Sequence, residues 1–202
     1  QFPSRYAHLA DLEYPGRISD SVTLSTFHGC PADEIESICR VLIDEYNLNV
    51  VVKMNPPMLG KERLDHLLHD ELGYRGITVK PEAFTSGLTF DDGVSLCQRL
   101  TSHASTKGLE LGAKFSNTLE VLNHRDFFTL TLVEEFRKSM GADFPISFSA
   151  GIDAKNFPAA VACGMVPVTM CSDLLKPGGY ARLPKYLQNL TRSMAELGAK
   201  DL

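Results

Sequence analysis

Two hydrophobic periods alternate along the chain. Short β-prone runs occur at 21–27 (SVTLSTF), 48–54 (LNVVVKM), 75–80 (RGITVK), 109–115 (LELGAKF), 144–150 (FPISFSA) and 166–172 (VPVTMCS), each followed by turn residues and a stretch with helical spacing. The first helix is the clearest. Ile35, Ile38, Leu42 and Tyr46 recur at three- and four-residue steps, Pro31 lies near the first turn, and Asp33 and Glu34 sit at the favourable end of the helix dipole. Further helical stretches at 61–73, 91–108, 129–141 and 154–164 close on Gly73, Gly108, Gly141 and Gly164, because glycine ends a helix by entering the left-handed region. Residues 1–17 hold two prolines and no sustained period, which predicts an extended lead-in to a domain over 18–202.

Strands alternating with helices form parallel sheets through right-handed crossovers, which leaves an open doubly wound sheet or a (β/α)8 barrel. A nucleotide-binding open sheet carries a Gly-x-Gly-x-x-Gly turn after an early strand, and the chain has none. About six βα units can be counted where a barrel needs eight. The pattern therefore predicts an incomplete TIM-type barrel of the α/β class that lacks its amino-terminal strands.

In either architecture ligands bind at the carboxyl ends of the strands. Lys53, Lys80 and Lys114 end successive β-prone runs; by the two-residue period Lys53 shares a face with Asn55, and Lys114 shares one with Ser116. If that face is the barrel interior, two ammonium groups converge on its mouth. The turn at Ser149, Ala150 and Gly151, beside the next strand end at Cys171 and Ser172, can offer backbone N–H groups to a phosphate. Lysines and turn together point to a phosphorylated cofactor.

Composition narrows the partners. A net charge of −5 with scattered Lys and Arg gives nothing to attract a phosphodiester backbone, so nucleic acid is not expected. No run reaches about 18 apolar residues and the amino terminus lacks signal-peptide features, which predicts a cytoplasmic location with no membrane span. The five cysteines form no Cys-x-x-Cys pair, so no metal site is expected. Cys39 and Cys163 read as buried hydrophobes. Cys30 lies in a His28-Gly29-Cys30-Pro31 turn at a helix start, where the dipole should favour a thiolate; the simpler alternative is a packed thiol with His28 bonded locally.

The segments TLSTFHGCPADEIE, VVKMNPPMLG, GAKFSNTLEV, ISFSAGID and PVTMCSDLLKPGGYARL together resemble the flavin-barrel domain of the selenate reductase subunit family. These are large bacterial oxidoreductases related to dihydropyrimidine dehydrogenase, dihydroorotate dehydrogenase and, through other domains, the glutamate synthase small subunit. The resemblance implies FMN at the barrel mouth, with FAD and iron–sulfur clusters elsewhere in the parent passing electrons from NAD(P)H to a small substrate. It implies a flavin-ring contact for Lys53 with Asn55 beside it, Lys114 being the rival, and ring- or substrate-facing roles for Asn117 and Thr118. Ser149, Ala150 and Gly151, with Ala150 in place of a family glycine, and Cys171 and Ser172 would hold the phosphate, while Cys30 with His28 would be the proton donor. The alternatives are a Schiff-base lysine lyase or aldolase on the same barrel, or a scaffold barrel that has lost flavin.

Overall fold

The computed structural model describes residues 3–9, 12–13, 15–25, 30–85, 87–116 and 126–200. Five parallel strands, β1 (Ser21–Leu24), β2 (Asn49–Met54), β3 (Leu111–Ser116), β4 (Ile146–Ser149) and β5 (Met165–Val168), lie side by side in the order of the sequence. The helices are α1 (Ala32–Asp44), α2 (Lys61–His66), α3 (Phe90–Ser105), α4 (Asp126–Met140), α5 (Phe157–Ala162) and α6 (Leu183–Leu197).

One hydrophobic core gathers Ile35, Cys39 and Ile43 of α1 and Leu96, Cys97 and Leu100 of α3 against Val50, Val52 and Met54 of β2 and Leu111, Ala113 and Phe115 of β3. Phe136 of α4 and Tyr186 of α6 join the same cluster. The helices that enclose this core thus pack on one face of the sheet. A doubly wound sheet reverses its strand order and covers both faces, whereas a single winding with its main helices on one side is the construction of a (β/α)8 barrel. The other face, made by alternate residues such as Val51, Lys53, Gly112, Lys114, Ser147 and Ser149, is the one a barrel turns inward.

The α1 stripe is rotated from its expected position. Ile35, Cys39 and Ile43 are buried, while Ile38 and Tyr46 are exposed, because Cys39 is small and apolar enough to take the central position facing β2. The glycine stops stand as expected: Gly73, Gly108, Gly141 and Gly164 all have positive φ. Near the amino terminus Ser4–Leu9 forms a 3-10 turn with no buried residue.

The run at 75–80 forms no strand. Ile77 N–H closes a turn on Tyr74 O, His69 Nε2 contacts Ile77 O at 2.7 Å, and Val79 packs with Leu64, Leu67, Leu68 and Phe128 in a separate small cluster. A local apolar cluster on the β2–α3 connection therefore takes up the hydrophobicity that suggested a sixth strand. Lys80 consequently ends no strand; it precedes the 3-10 turn Pro81–Phe84 and is exposed.

Gly112 lies in close approach to the next strand. A Cβ there would stand 3.0 Å from Pro145 O and 3.3 Å from Pro145 Cβ, where β3 pairs with the residue before β4. Gly112→Ala is expected to lower stability by about 1 kcal/mol through this crowding, measured as a shift in the urea unfolding midpoint at unchanged slope.

Candidate functional site

The parallel register places Lys53 of β2 directly beside Lys114 of β3, and Lys114 beside Ser147 of β4. All three side chains lie on the face opposite the core, one residue from the carboxyl end of β2 and two from the end of β3. Lys114 Nζ donates to Thr169 Oγ1 at 2.9 Å just beyond β5, and Ser147 Oγ donates to Pro167 O at 2.9 Å. One step toward the strand ends, Ser116 Oγ donates to Asn55 Oδ1 at 2.9 Å. Four adjacent strands thus raise a band of ammonium, hydroxyl and amide groups along one edge of the inward face.

Two like charges in neighbouring register positions repel. Partial burial, and then the charge of Lys53, push the Lys114 ammonium below the ordinary lysine value. A depressed lysine makes the folded state bind its proton less tightly than the unfolded chain. Stability therefore rises with pH across the interval between the lowered folded value and the ordinary one. Lys114→Met removes the charge but keeps much of the stem, so it is expected to stabilise the fold by roughly 0.5 kcal/mol at neutral pH, read from the urea midpoint, and to flatten that alkaline rise.

Beyond β4, the turn at Ser149, Ala150 and Gly151 leaves the sheet next to the segment that follows β5, where Thr169 N–H donates to Phe148 O at 2.8 Å. The Ala150 methyl is buried in the core, and the backbone turns at Gly151, which has φ 54° and is exposed. Asn156 Nδ2 fixes the Gly151 carbonyl at 3.0 Å, while Asp153 Oδ1 accepts from Lys155 N–H at 2.7 Å and Asn156 N–H at 3.1 Å. Cys171 and Ser172 are exposed on the neighbouring tip. Of the residues singled out in the sequence, Lys53, Asn55, Lys114, Ser149, Ala150, Gly151, Cys171 and Ser172 all belong to the carboxyl-end region of β2 to β5. His28, Asn117 and Thr118 lie outside the described residues.

Of two cysteines weighed in the sequence, Cys30 lies nearer its simpler alternative and Cys163 departs from expectation. Cys30 is half-buried against the core, and burial, reinforced by Glu34 and then Asp33, raises its thiol pKa. The same acidic residues that suit the dipole of α1 disfavour a thiolate beside it. Cys163 is exposed rather than buried, because it falls in the turn between α5 and β5. There the Arg137 guanidinium binds the carbonyls of Cys163 and of Gly164, the latter at 3.0 Å. This turn also borders a cavity of about 430 Å³ with largely apolar walls, including Leu130, Val133 and Met165, at the opposite end of β5 from the polar band.

The family described as "Oxidoreductase YgfK, N-terminal TIM-barrel domain" matches residues 5–201. The chain belongs to this family. The protein named "Putative oxidoreductase YgfK" in Escherichia coli strain K12 is 36% identical over 200 residues, and the O157:H7 protein of that name matches equally. These matches cover 90% of the chain but only 19% of each relative. A solved structure titled "Native KDPGal structure" overlaps 91% of the chain and 100% of its own at 11% identity and a TM-score of 0.29, too loose an overlap to argue from. The motif resemblance thus resolves to the YgfK oxidoreductases. Among the described residues of this YgfK-family barrel, no group of three or more His, Cys, Asp or Glu side chains could hold a metal ion, and no helix is long and apolar enough to cross a membrane.

A further feature of the barrel was not apparent from motif spacing. Asp173, 3% exposed, accepts hydrogen bonds from Lys176 Nζ at 3.0 Å, Arg182 Nε and Nη2 at 3.0 and 2.9 Å, and Tyr186 Oη at 2.7 Å. These bonds, Arg182 first, hold its carboxyl well below the usual carboxylate range, while burial, and then the bond to Asp173, drive the Tyr186 hydroxyl upward. The clamp ties the connection after β5, which carries Cys171 and Ser172, to the first turns of α6.

Proposed function

We propose that this chain is the FMN-binding barrel of a larger oxidoreductase. In this reading, FAD and iron–sulfur centres elsewhere in the parent bring electrons from NAD(P)H, and a small substrate receives them. The observation that carries the reading is the register pair Lys53 and Lys114 on the inward face, with the Asn55–Ser116 contact beside it.

The donor chemistry fits FMN. Two ammonium groups and an amide suit an electron-rich ring, and an exposed glycine turn beside a second strand tip suits a phosphate dianion. Lys53 and Lys114 would contact the ring, with Asn55 alongside; Ser149, Ala150 and Gly151, together with Cys171 and Ser172, would hold the phosphate. When bound, FMN would supply hydride and single-electron transfer. The chain's own part is to orient the ring, to set positive charge where negative charge accumulates, and to deliver a proton. On the motif resemblance Cys30, between β1 and α1, would deliver that proton; burial, and then Glu34, raise its thiol pKa and disfavour a thiolate. Roles for His28, Asn117 and Thr118 rest on the motif resemblance alone.

The test is anaerobic titration of the full-length parent with NADH or NADPH. Bleaching of bound FMN supports the reading; bound FMN that neither nucleotide reduces, even with the parent's other centres loaded, overturns the electron route.

A second reading has its own support. Burial, and then Lys53, lower the pKa of the Lys114 ammonium, whose Nζ is bonded to Thr169 Oγ1; the lowering moves the residue in the direction a Schiff-base enzyme needs to attack a carbonyl. Borohydride reduction with a 2-oxo acid present leaves the substrate's added mass on Lys114 under this reading and none under the flavin reading.

A further inference from the structure

Helix α6 carries an apolar stripe beyond the one that faces the core. Tyr186 alone on this helix is fully buried, where its ring meets Phe157 of α5 edge-on with 5.5 Å between centroids. A second set, Tyr180, Leu183, Leu187, Leu190, Met194 and Leu197, recurs at alternating steps of three and four residues. Tyr180 belongs to the 3-10 turn Gly179–Arg182, which runs directly into α6, so the set forms one seam about 26 Å long at helical rise. Tyr180 is 79% exposed, Leu187 62% and Leu197 70%, and Leu183, Leu190 and Met194 are half-buried. A strict three–four alternation over six positions differs from scattered surface leucines, which are ordinary on any protein.

The seam is also held rigid. The Asp173 clamp fixes the start of α6 through Arg182 and Tyr186, and Leu175, 82% exposed, projects from the same clamped connection. A preordered apolar surface loses little conformational freedom when it is covered, which favours association. The positions flanking the seam, Thr191 and Ser193, are small and uncharged, so a second helix can approach closely without a charge rule.

We propose that this seam docks an apolar helix supplied by the rest of the parent polypeptide. The commitment to the same chain rests on length: the matching region is only 19% of each YgfK relative, so about four-fifths of those proteins lies outside it. The proposal depends on family membership and not on the flavin reading.

Photocrosslinking in the full-length parent tests it. p-Benzoylphenylalanine is introduced in place of Tyr180 or of Leu187, and the crosslinked peptides are mapped by mass spectrometry. Crosslinks within one chain to residues outside 1–202 are expected from both sites. Crosslinks between two copies, to another protein, only within 1–202, or none at all, overturn the proposal. As a second arm, the full-length double variant Leu187→Lys, Leu197→Lys should be cleaved by trypsin between the barrel and the rest of the parent polypeptide at least about tenfold faster, at sites present in the unsubstituted protein. Gln188→Lys, off the seam, should leave the cleavage rate unchanged. Equal rates in the double variant and the unsubstituted protein overturn the proposal.

Discussion

Asp173→Ala is expected to lower stability by about 3 kcal/mol, because it removes the shared acceptor of two cations and a buried phenol. For a domain of this size that corresponds to a fall of roughly 6 to 12 °C in the thermal midpoint, measured by circular dichroism. Arg182 and Lys176 are partly exposed and can recover water, so the loss falls mainly on Tyr186, whose hydroxyl sits in the interior. The pH dependence has a definite sign. A carboxyl whose folded pKa is depressed contributes stability that is fully present above its unfolded value, near 4. That stability is lost as pH falls from there through the lower folded value. The clamp is therefore intact at ordinary pH and fails only in strong acid, and Asp173→Asn should remove that part of the acid dependence. A midpoint within 2 °C of the original would show that the connection after β5 is held by other contacts.

The second large effect falls on the cofactor. Lys53→Ala in the full-length protein is expected to weaken FMN binding roughly 30-fold, the equivalent of about 2 kcal/mol for a charge-assisted hydrogen bond. Lys114→Met should act in the same direction while leaving the fold slightly more stable. The variant protein should release FMN during gel filtration, with the loss read from the ratio of flavin to protein. Weakened binding with a retained thermal midpoint separates a binding residue from a merely structural one. If neither lysine alters flavin affinity, the band across β2 and β3 is not the cofactor seat.

Much of the fold was legible because backbone chemistry is local. Glycine stops at Gly73, Gly108, Gly141 and Gly164 and the switching between two hydrophobic periods mark units that need no knowledge of tertiary contacts. The two-residue period also put Lys53 with Asn55 and Lys114 with Ser116. What it could not reveal is the register between β2 and β3, since pairing between strands is settled by packing along their whole length. The run at 75–80 misled for a related reason: Ile77, Thr78 and Val79 have strand propensity, but Val79 found its apolar neighbours on α2, the helical turn that follows it and α4.

The site shows a similar division. The glycine turn at 151 announces itself, whereas the Asp173 clamp joins residues three, nine and thirteen positions apart with no period to reveal it. Cys30 is instructive because the decisive residues were in plain view. Asp33 and Glu34 suit the helix dipole, and their charges also act on the neighbouring sulfur. The α6 seam, by contrast, is visible from spacing alone. It is easily overlooked because Tyr180 precedes the helix and the first prolyl turn interrupts the run.

The central claim, that the inward band of β2 to β5 seats FMN, is tested most directly by the visible absorption spectrum of the full-length protein as purified, with the released chromophore identified after denaturation. The account predicts flavin bands, with FMN recovered at about one per chain beyond any FAD. A preparation folded and loaded with its other centres, yet yielding no FMN on denaturation even after incubation with excess FMN and desalting, would contradict it.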